Sequence, residues 1–155
     1  MEKESFSEKD YFWMQRAIHL AEIAKKHQEV PVGAVLILDN KIRGEGSNCP
    51  IQEKDPTAHA EIIALRESAK NSGNYRLLDS TLYVTLEPCL MCVGALVHAR
   101  VKRVVFGAAD PKSGAVQSVF QMKEATQFNH RVIYEGGLLA NQCGALLSDF
   151  FRARR

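Results

Sequence analysis

A His-x-Glu triplet, His59-Ala60-Glu61, and the segment Pro88-Cys89-Leu90-Met91-Cys92 most restrict how this chain can fold. One imidazole, two thiols and a carboxylate are what a hydrolytic zinc site requires, provided the fold brings them together. Histidine nitrogen and cysteine thiolate are common zinc donors, and three protein ligands leave the fourth tetrahedral position for water. Zinc lowers the pKa of such a water to about 7. Glu61 would then carry the water's proton.

The spacing dictates local structure. Cys89 and Cys92 are three positions apart, so in a first helical turn they share one face. Pro88 suits the start of that turn, where its missing N–H costs nothing. His59 and Glu61 are two positions apart, and inside a helix they would point roughly 200° away from each other. Both reach one metal only near a helix end, and Asp55-Pro56-Thr57 is a start signal there. Two helix N-termini would therefore aim at the zinc, where their positive ends favour thiolate and hydroxide. An isolated C-x-x-C is more often a redox pair or half of a structural zinc site. From the residues alone the rival is a non-enzymatic zinc module, closed by Cys49, Cys143 or a histidine as fourth ligand.

Length and composition set bounds. The 155 residues suit one domain spanning 1–155. A net charge of +2 does not by itself announce a nucleic-acid partner. The charged and polar Met1–Asp10 segment is not a secretory signal. No apolar run reaches the ~18 residues of a membrane span. These features predict a soluble, cytoplasmic protein without a membrane partner, and Cys49 and Cys143 need not be bonded there.

Along the chain, Ser7 and Asp10 resemble a capping box, and Met14, Ala17, Ile18 and Ala21 predict a helix to about Lys26. His19 and His27 read as ordinary helix residues. Val30–Leu38 suits a buried strand, and Asp39-Asn40 a turn into a second strand over Lys41–Gly46. Asn48-Cys49-Pro50 ends that arm. Ala58, Ile62, Leu65 and Ala69 mark a helix that stops at Asn71-Ser72-Gly73. Thr81–Leu86 reads as a strand, and Leu90–Ala99 as a helix apolar nearly all round, which requires burial on more than one side. His98 on it reads as a core or interface histidine. Val101–Phe106 predicts a strand, Gly107–Gly114 a loop, Val116–Lys123 a short helix and Arg131–Tyr134 a last strand. The final helix carries Leu139, Cys143, Leu146, Leu147 and Phe150 on one side. Alternating strands and helices predict an α/β fold, a three-layer αβα sandwich with a mixed five-stranded sheet. Active sites in such sheets lie at strand carboxyl ends, where both motifs fall.

The paired motifs match H-x-E…P-C-x-x-C, the signature of zinc nucleobase deaminases. The chain resembles the bacterial tRNA-specific adenosine deaminases of the cytidine-deaminase-like superfamily. The resemblance rests on Pro31–Val35, Asp55–Ile62, Thr85–Cys92, Phe106–Asp110, Asn129–Val132 and the ending Leu146–Arg155. It implies one zinc per subunit, held by His59, Cys89 and Cys92, with Glu61 as proton carrier. It also implies conversion of adenosine to inosine at the wobble position of a tRNA anticodon loop, by a homodimer whose partner subunit borders each active site. It further implies that Asn48 hydrogen-bonds the purine, that Val32 packs on the base, and that Asn129 and Phe150 line the pocket or the neighbouring nucleotide's site. Lys102, Arg103, Lys112, Arg152, Arg154 and Arg155 are candidate phosphate contacts. Asp110, after the strand ending at Phe106, either accepts a 2′-hydroxyl bond from RNA or caps a turn before Pro111. The enzymatic alternative is a free-nucleobase deaminase of the same fold, acting on guanine or cytosine.

Overall fold

The computed structural model describes residues 6–154; Arg155 and the first half of the Met1–Asp10 segment lie outside the described residues. Helix α1, Glu8–Lys26, starts with a reciprocal capping box between Ser7 and Asp10. Strands β1, Gly33–Leu38, and β2, Lys41–Ser47, form an antiparallel hairpin. The turn between them carries positive φ at Asp39 and Asn40, residues that tolerate this region. A short helix α2, Pro50–Glu53, precedes α3, Ala60–Ser72, which ends on a left-handed Gly73. Then come β3, Thr81–Leu86, α4, Leu90–His98, β4, Arg103–Ala108, β5, Ile133–Gly136, and α5, Ala140–Ala153.

The sheet order is β2-β1-β3-β4-β5. The first two junctions are antiparallel and the last two parallel, so the expected mixed five-stranded α/β sandwich is present. Strand alternation separates two cores. Ala34, Leu36, Leu82, Val84, Val104 and Phe106 meet α3 and α4, while Val35, Ile37, Tyr83 and Val105 meet α1 and α5. Burial on both faces explains why β1 reads as a continuous apolar run.

Two glycines set how closely α3 approaches. A Cβ at Gly44 would overlap the Ala64 carbonyl and Ser68, and one at Gly46 would overlap the Ala60 carbonyl oxygen. Bare backbone there seats the first turn of α3 directly on β2.

Topology gathers four strand ends at one sheet edge. The carboxyl ends of β3 and β4 lie side by side through the Leu86–Ala108 pair. Because β1 is antiparallel to β3, its amino end joins them, and the Gly33–Ser47 pair brings the end of β2 there too.

Three expectations need correction. Val116–Lys123 is not a helix; it is a series of turns with one 3-10 turn at Met122–Glu124, because its amides are drawn onto a side chain, Glu87. His98 is exposed and lines a groove between α3 and α4, so the core half of its core-or-interface reading falls. Arg103 is not available to phosphate: its guanidinium pairs with Asp10 (2.9 and 3.1 Å) and with Glu135. Asp10, 5% exposed, also accepts from the Tyr83 hydroxyl at 2.6 Å, so the cluster ties α1 to β3, β4 and β5.

Burial would raise the Asp10 carboxyl, but hydrogen bonds from Arg103, Tyr83 and the Ser7 N–H outweigh it and hold the group far below the usual carboxylate range. A depressed folded value means this stabilisation is complete above about pH 4 and is lost as pH falls through the folded value. Asp10→Asn should therefore destabilise the fold near neutral pH, on the order of 3 kcal/mol for a broken buried pair. It should also flatten the loss of stability below about pH 4. Urea unfolding at a series of pH values measures both effects; parallel curves for the two proteins would contradict the assignment.

Candidate active site

His59 is the residue before α3 and has extended backbone, φ −74° and ψ 154°. Cys89 precedes α4 in the same way, with φ −78° and ψ 174°. This answers the spacing problem. Since His59 lies outside the helical period, its ring and the Glu61 side chain, one turn-fragment later, can approach the same point. The two helix starts face each other across the end of β3, so Cys92, in the first turn of α4, completes a triangle.

His59 Nδ1 lies 3.6 Å from Cys89 Sγ and 3.6 Å from Cys92 Sγ. The three ligand atoms all fall within 4.8 Å of one another. Zinc–sulfur bonds of about 2.3 Å and a zinc–nitrogen bond of about 2.05 Å at tetrahedral angles place sulfur and nitrogen about 3.5 Å apart. The donor triangle fits that ion. Among the described residues no fourth histidine, cysteine or carboxylate joins the group. Cys143 is buried on α5 against Gly107, and Cys49 stands outside the triangle, so the closed four-ligand module loses its proposed ligands.

Electrostatics agree with the geometry. Hydrogen bonds from Cys92 and then from His59 hold the Cys89 thiol down at about 4 against its burial, which favours the thiolate that binds metal. Cys143, with burial and no such partner, is pushed up to about 12. Glu61 is 4% exposed. Burial pushes its carboxyl up, against the lowering influence of its own backbone N–H and of His59. That is the direction required of a group that exchanges protons near neutral pH.

The triangle forms the floor of a cleft of about 210 Å³ lined by Val30, Val32, Asn48, His59, Glu61, Leu86, Glu87, Cys89, Asp110 and Ser113. Asn48 is anchored by its backbone N–H to the Val32 carbonyl at 3.0 Å, which leaves its side-chain amide beside the opening. A second cleft of about 320 Å³ adjoins the first, sharing Val30, Leu86, Asp110 and Ser113 and adding Lys112, Leu147 and Phe151.

Other expected site residues sit elsewhere. Phe150 is buried, 7% exposed, beneath the Arg154 guanidinium, and lines neither cleft. The helix phase turns Leu147 and Phe151 to the second cleft instead. Asn129 is exposed and lines no part of the cleft. It precedes β5, which runs parallel to β4 with Ile133 opposite Arg103, and so lies at the far sheet edge. Lys102 stands at that same far edge. Lys112, Arg152 and Arg154 belong to the segments that border the clefts; Arg152 pairs with Asp149 at 3.4 Å, and Arg154 donates to the Gln28 carbonyl at 2.7 Å.

Sequence reasoning missed two buried carboxylates. Glu29, 2% exposed, accepts the Ile51 and Gln52 N–H groups at 3.3 and 2.8 Å, fixing α2 just beyond Asn48. Glu87 does the same for the Asp110–Ser118 loop. The signal was an acidic residue flanking an apolar run, before it at Glu29 and after it at Glu87, which must find donors if buried.

The chain matches the family model of MafB19-like deaminases over residues 8–155. It is 55% identical to the tRNA-specific adenosine deaminase of Haemophilus influenzae over 96% of this chain and 87% of the relative. It is 43% identical to the enzyme of that name from Buchnera aphidicola, over 96% of this chain and 98% of the relative. The chain belongs to the tRNA-specific adenosine deaminase family. A solved structure from work on A-to-I editing by tRNA:A34 deaminases superimposes on it with TM-score 0.85 and 38% identity, over 88% of this chain and 99% of that one. The guanine deaminase of Nitrosomonas europaea, at 20% identity and TM-score 0.76, shares the fold alone.

In this deaminase, single replacements His59→Ala, Cys89→Ala and Cys92→Ala should each abolish stoichiometric zinc. Cys49→Ala and Cys143→Ala should keep it. Metal analysis, together with the cobalt-substituted spectrum expected of two sulfurs, one nitrogen and water, decides between this set and any other.

Proposed function

We propose that this protein deaminates adenosine to inosine at the wobble position, A34, of tRNA by zinc-dependent hydrolysis. The observation that carries the reading is the His59, Cys89 and Cys92 donor triangle with buried Glu61 at the floor of one cleft. Bound zinc would act as a Lewis acid toward a water in the fourth position. This chain's residues do the rest. The target base leaves the anticodon loop at low cost, because loop bases are unpaired. Val32 and Leu86 hold its faces and Asn48 hydrogen-bonds its edge, which sets C6 over the cleft floor. Glu61 takes the water's proton and delivers it to N1 as the new C6–O bond forms. It then takes the remaining hydroxyl proton at C6 and passes it to the amino group, the C6–N bond breaks as the C6 carbonyl forms, and ammonia leaves.

The largely apolar groove between α3 and α4, lined by Ile62, Leu65, Ala69, Tyr75, Ala95 and Ala99 with Arg66 and His98, is the surface for a homodimer in this reading. It accounts for the apolar composition of α4, on which Leu90 and Met91 are exposed. No helix among the described residues is long and apolar enough to cross a membrane, and four unpaired cysteines fit a cytoplasmic enzyme.

Glu61→Ala should retain zinc and the native fold while losing roughly 10²–10⁴-fold or more in rate, because one group serves several proton transfers. Inosine formation on an anticodon stem-loop, compared with ammonia release from free guanine or cytosine, separates this reading from the free-base alternative. Loss of metal in Glu61→Ala would make Glu61 a ligand and overturn its role.

Lys112, which lines the second cleft, and the tail cations Arg152, Arg154 and Arg155 are the phosphate contacts of this reading; Lys102 and Arg103 are not. Deleting residues Arg152–Arg155 should raise KM for tRNA and reduce the salt slope by about 0.7 for each single-strand phosphate that the protein no longer neutralises. An unchanged slope would make the tail a solvated end.

Asp110 has a double position. Its Oδ1 accepts the Lys112 and Ser113 N–H groups at 3.0 and 3.2 Å, so it caps the turn, and it also lines the cleft. In this reading its second oxygen accepts a 2′-hydroxyl bond from a nucleotide flanking the adenosine. Asparagine supports the same turn without the charge. Asp110→Asn should therefore narrow the preference for RNA over DNA hairpins, mainly by improving the DNA reaction. Equal kcat/KM ratios for the two proteins would leave Asp110 with the turn alone.

A further inference from the structure

Glu87 follows β3 directly and precedes Pro88 and Cys89, and it is 2% exposed. Its Oε1 accepts the Asp110 N–H at 3.0 Å and the Ser118 hydroxyl. Its Oε2 accepts the N–H groups of Val116, Gln117 and Ser118 at 3.0, 2.9 and 3.0 Å. Two oxygens thus take five donors from one loop. Three consecutive N–H groups converging on an anion form the kind of concavity that elsewhere binds phosphate; here the anion is the protein's own. The loop has room for this only because Gly114 lacks a side chain: a Cβ there would overlap the Glu87 carboxylate. The Ala115 N–H adds a bond to the Pro88 carbonyl at 2.9 Å.

Loop and metal ligands therefore share one reference point. The segment that carries Cys89 also carries the carboxylate that grips the loop, and the loop supplies Asp110 and Ser113 to the cleft wall opposite Val32 and Asn48. A shift of Glu87 would move that wall relative to the donor triangle without touching a ligand. Hydrogen bonds to an ionised carboxylate are roughly twice as strong as neutral ones, and the same loop has little regular structure of its own.

We propose that Glu87 is a positioning residue for substrate: its five hydrogen bonds pre-form the Asp110–Ser118 wall of the cleft, so that RNA binds without first ordering the loop. This rests on the proposed tRNA reaction. A neutral amide at this position keeps the shape but loses acceptor capacity and faces the N–H groups with donors of its own.

The test measures Glu87→Gln and the milder Ser118→Ala against wild type on an anticodon stem-loop, with zinc content and amide hydrogen exchange followed in parallel. Both variants should keep stoichiometric zinc. Glu87→Gln should raise KM about tenfold or more while kcat changes less than about threefold, the pattern of weakened binding, and Ser118→Ala should shift KM the same way by less. Exchange should accelerate at the amides of residues 110 and 116–118 and not in α1 or β1. A wild-type KM in Glu87→Gln, unchanged loop exchange, or a fall in zinc content together with kcat would overturn the proposal. If Glu87→Gln does not fold, the sign of the KM and exchange changes in Ser118→Ala decides. Absence of inosine with wild-type enzyme would reject the substrate reading itself, a result distinct from all of these.

Discussion

The meeting of two helix starts at one sheet edge is the constraint on which the site depends. A residue just before a helix has extended backbone, so its side chain is free of the helical period. His59 and Cys89 both take this position. Each can then reach the point toward which its helix is aimed, and Cys92 follows from within the first turn. Neither side chain caps its own helix. The imidazole and the thiol are thereby left free to hold a metal ion, and the positive helix ends favour the thiolate form that such binding needs.

That meeting point exists because of how the sheet is wound. A parallel β3–β4 pair puts two carboxyl ends together, and the antiparallel hairpin on the other side of β3 returns an amino end and a carboxyl end to the same edge. The floor thus comes from the starts of α3 and α4, one wall from β1–β2 and the other from the loop after β4. Gly44 and Gly46 then control the remaining distance, since the backbone of α3 rests on them. A methyl group at Gly46 would press on Ala60, the residue between His59 and Glu61.

Much of this was legible in the sequence, and the parts that were not have a common cause. Periodicity, caps and turn residues marked α1, β1–β3, α3 and α4, because each is a local pattern reinforced by burial on a known face. The donor set was legible because its spacing has few geometric solutions. What failed depended on partners distant in sequence. Arg103 looked like a surface cation until Asp10 and Glu135 engaged it. Phe150 and Phe151 are adjacent, and only the docking of α5 decides which is buried and which faces the second cleft. Asn129 needed the direction of β5. The apolar spacing within Val116–Lys123 suggested a helix, but its amides are held by Glu87 from another strand.

The two carboxylates that went unread complete the physical picture of the cleft. The segments next to the cleft walls are irregular: α2 is a single turn following Asn48, and the Asp110–Ser118 segment is a run of turns. Such segments lack the repeating hydrogen bonds that make helices and strands rigid, and exposed loops ordinarily open at little cost. Here each is fastened from beneath by a buried carboxylate, Glu29 on one side and Glu87 on the other. A buried charge without partners is strongly unfavourable, so each loop and its carboxylate are stable only together. The cleft can then present polar, adaptable loop residues to an RNA while keeping them at a defined distance from the metal ligands. Rigidity comes from two buried carboxylates anchored to the backbone N–H groups of the segments above them.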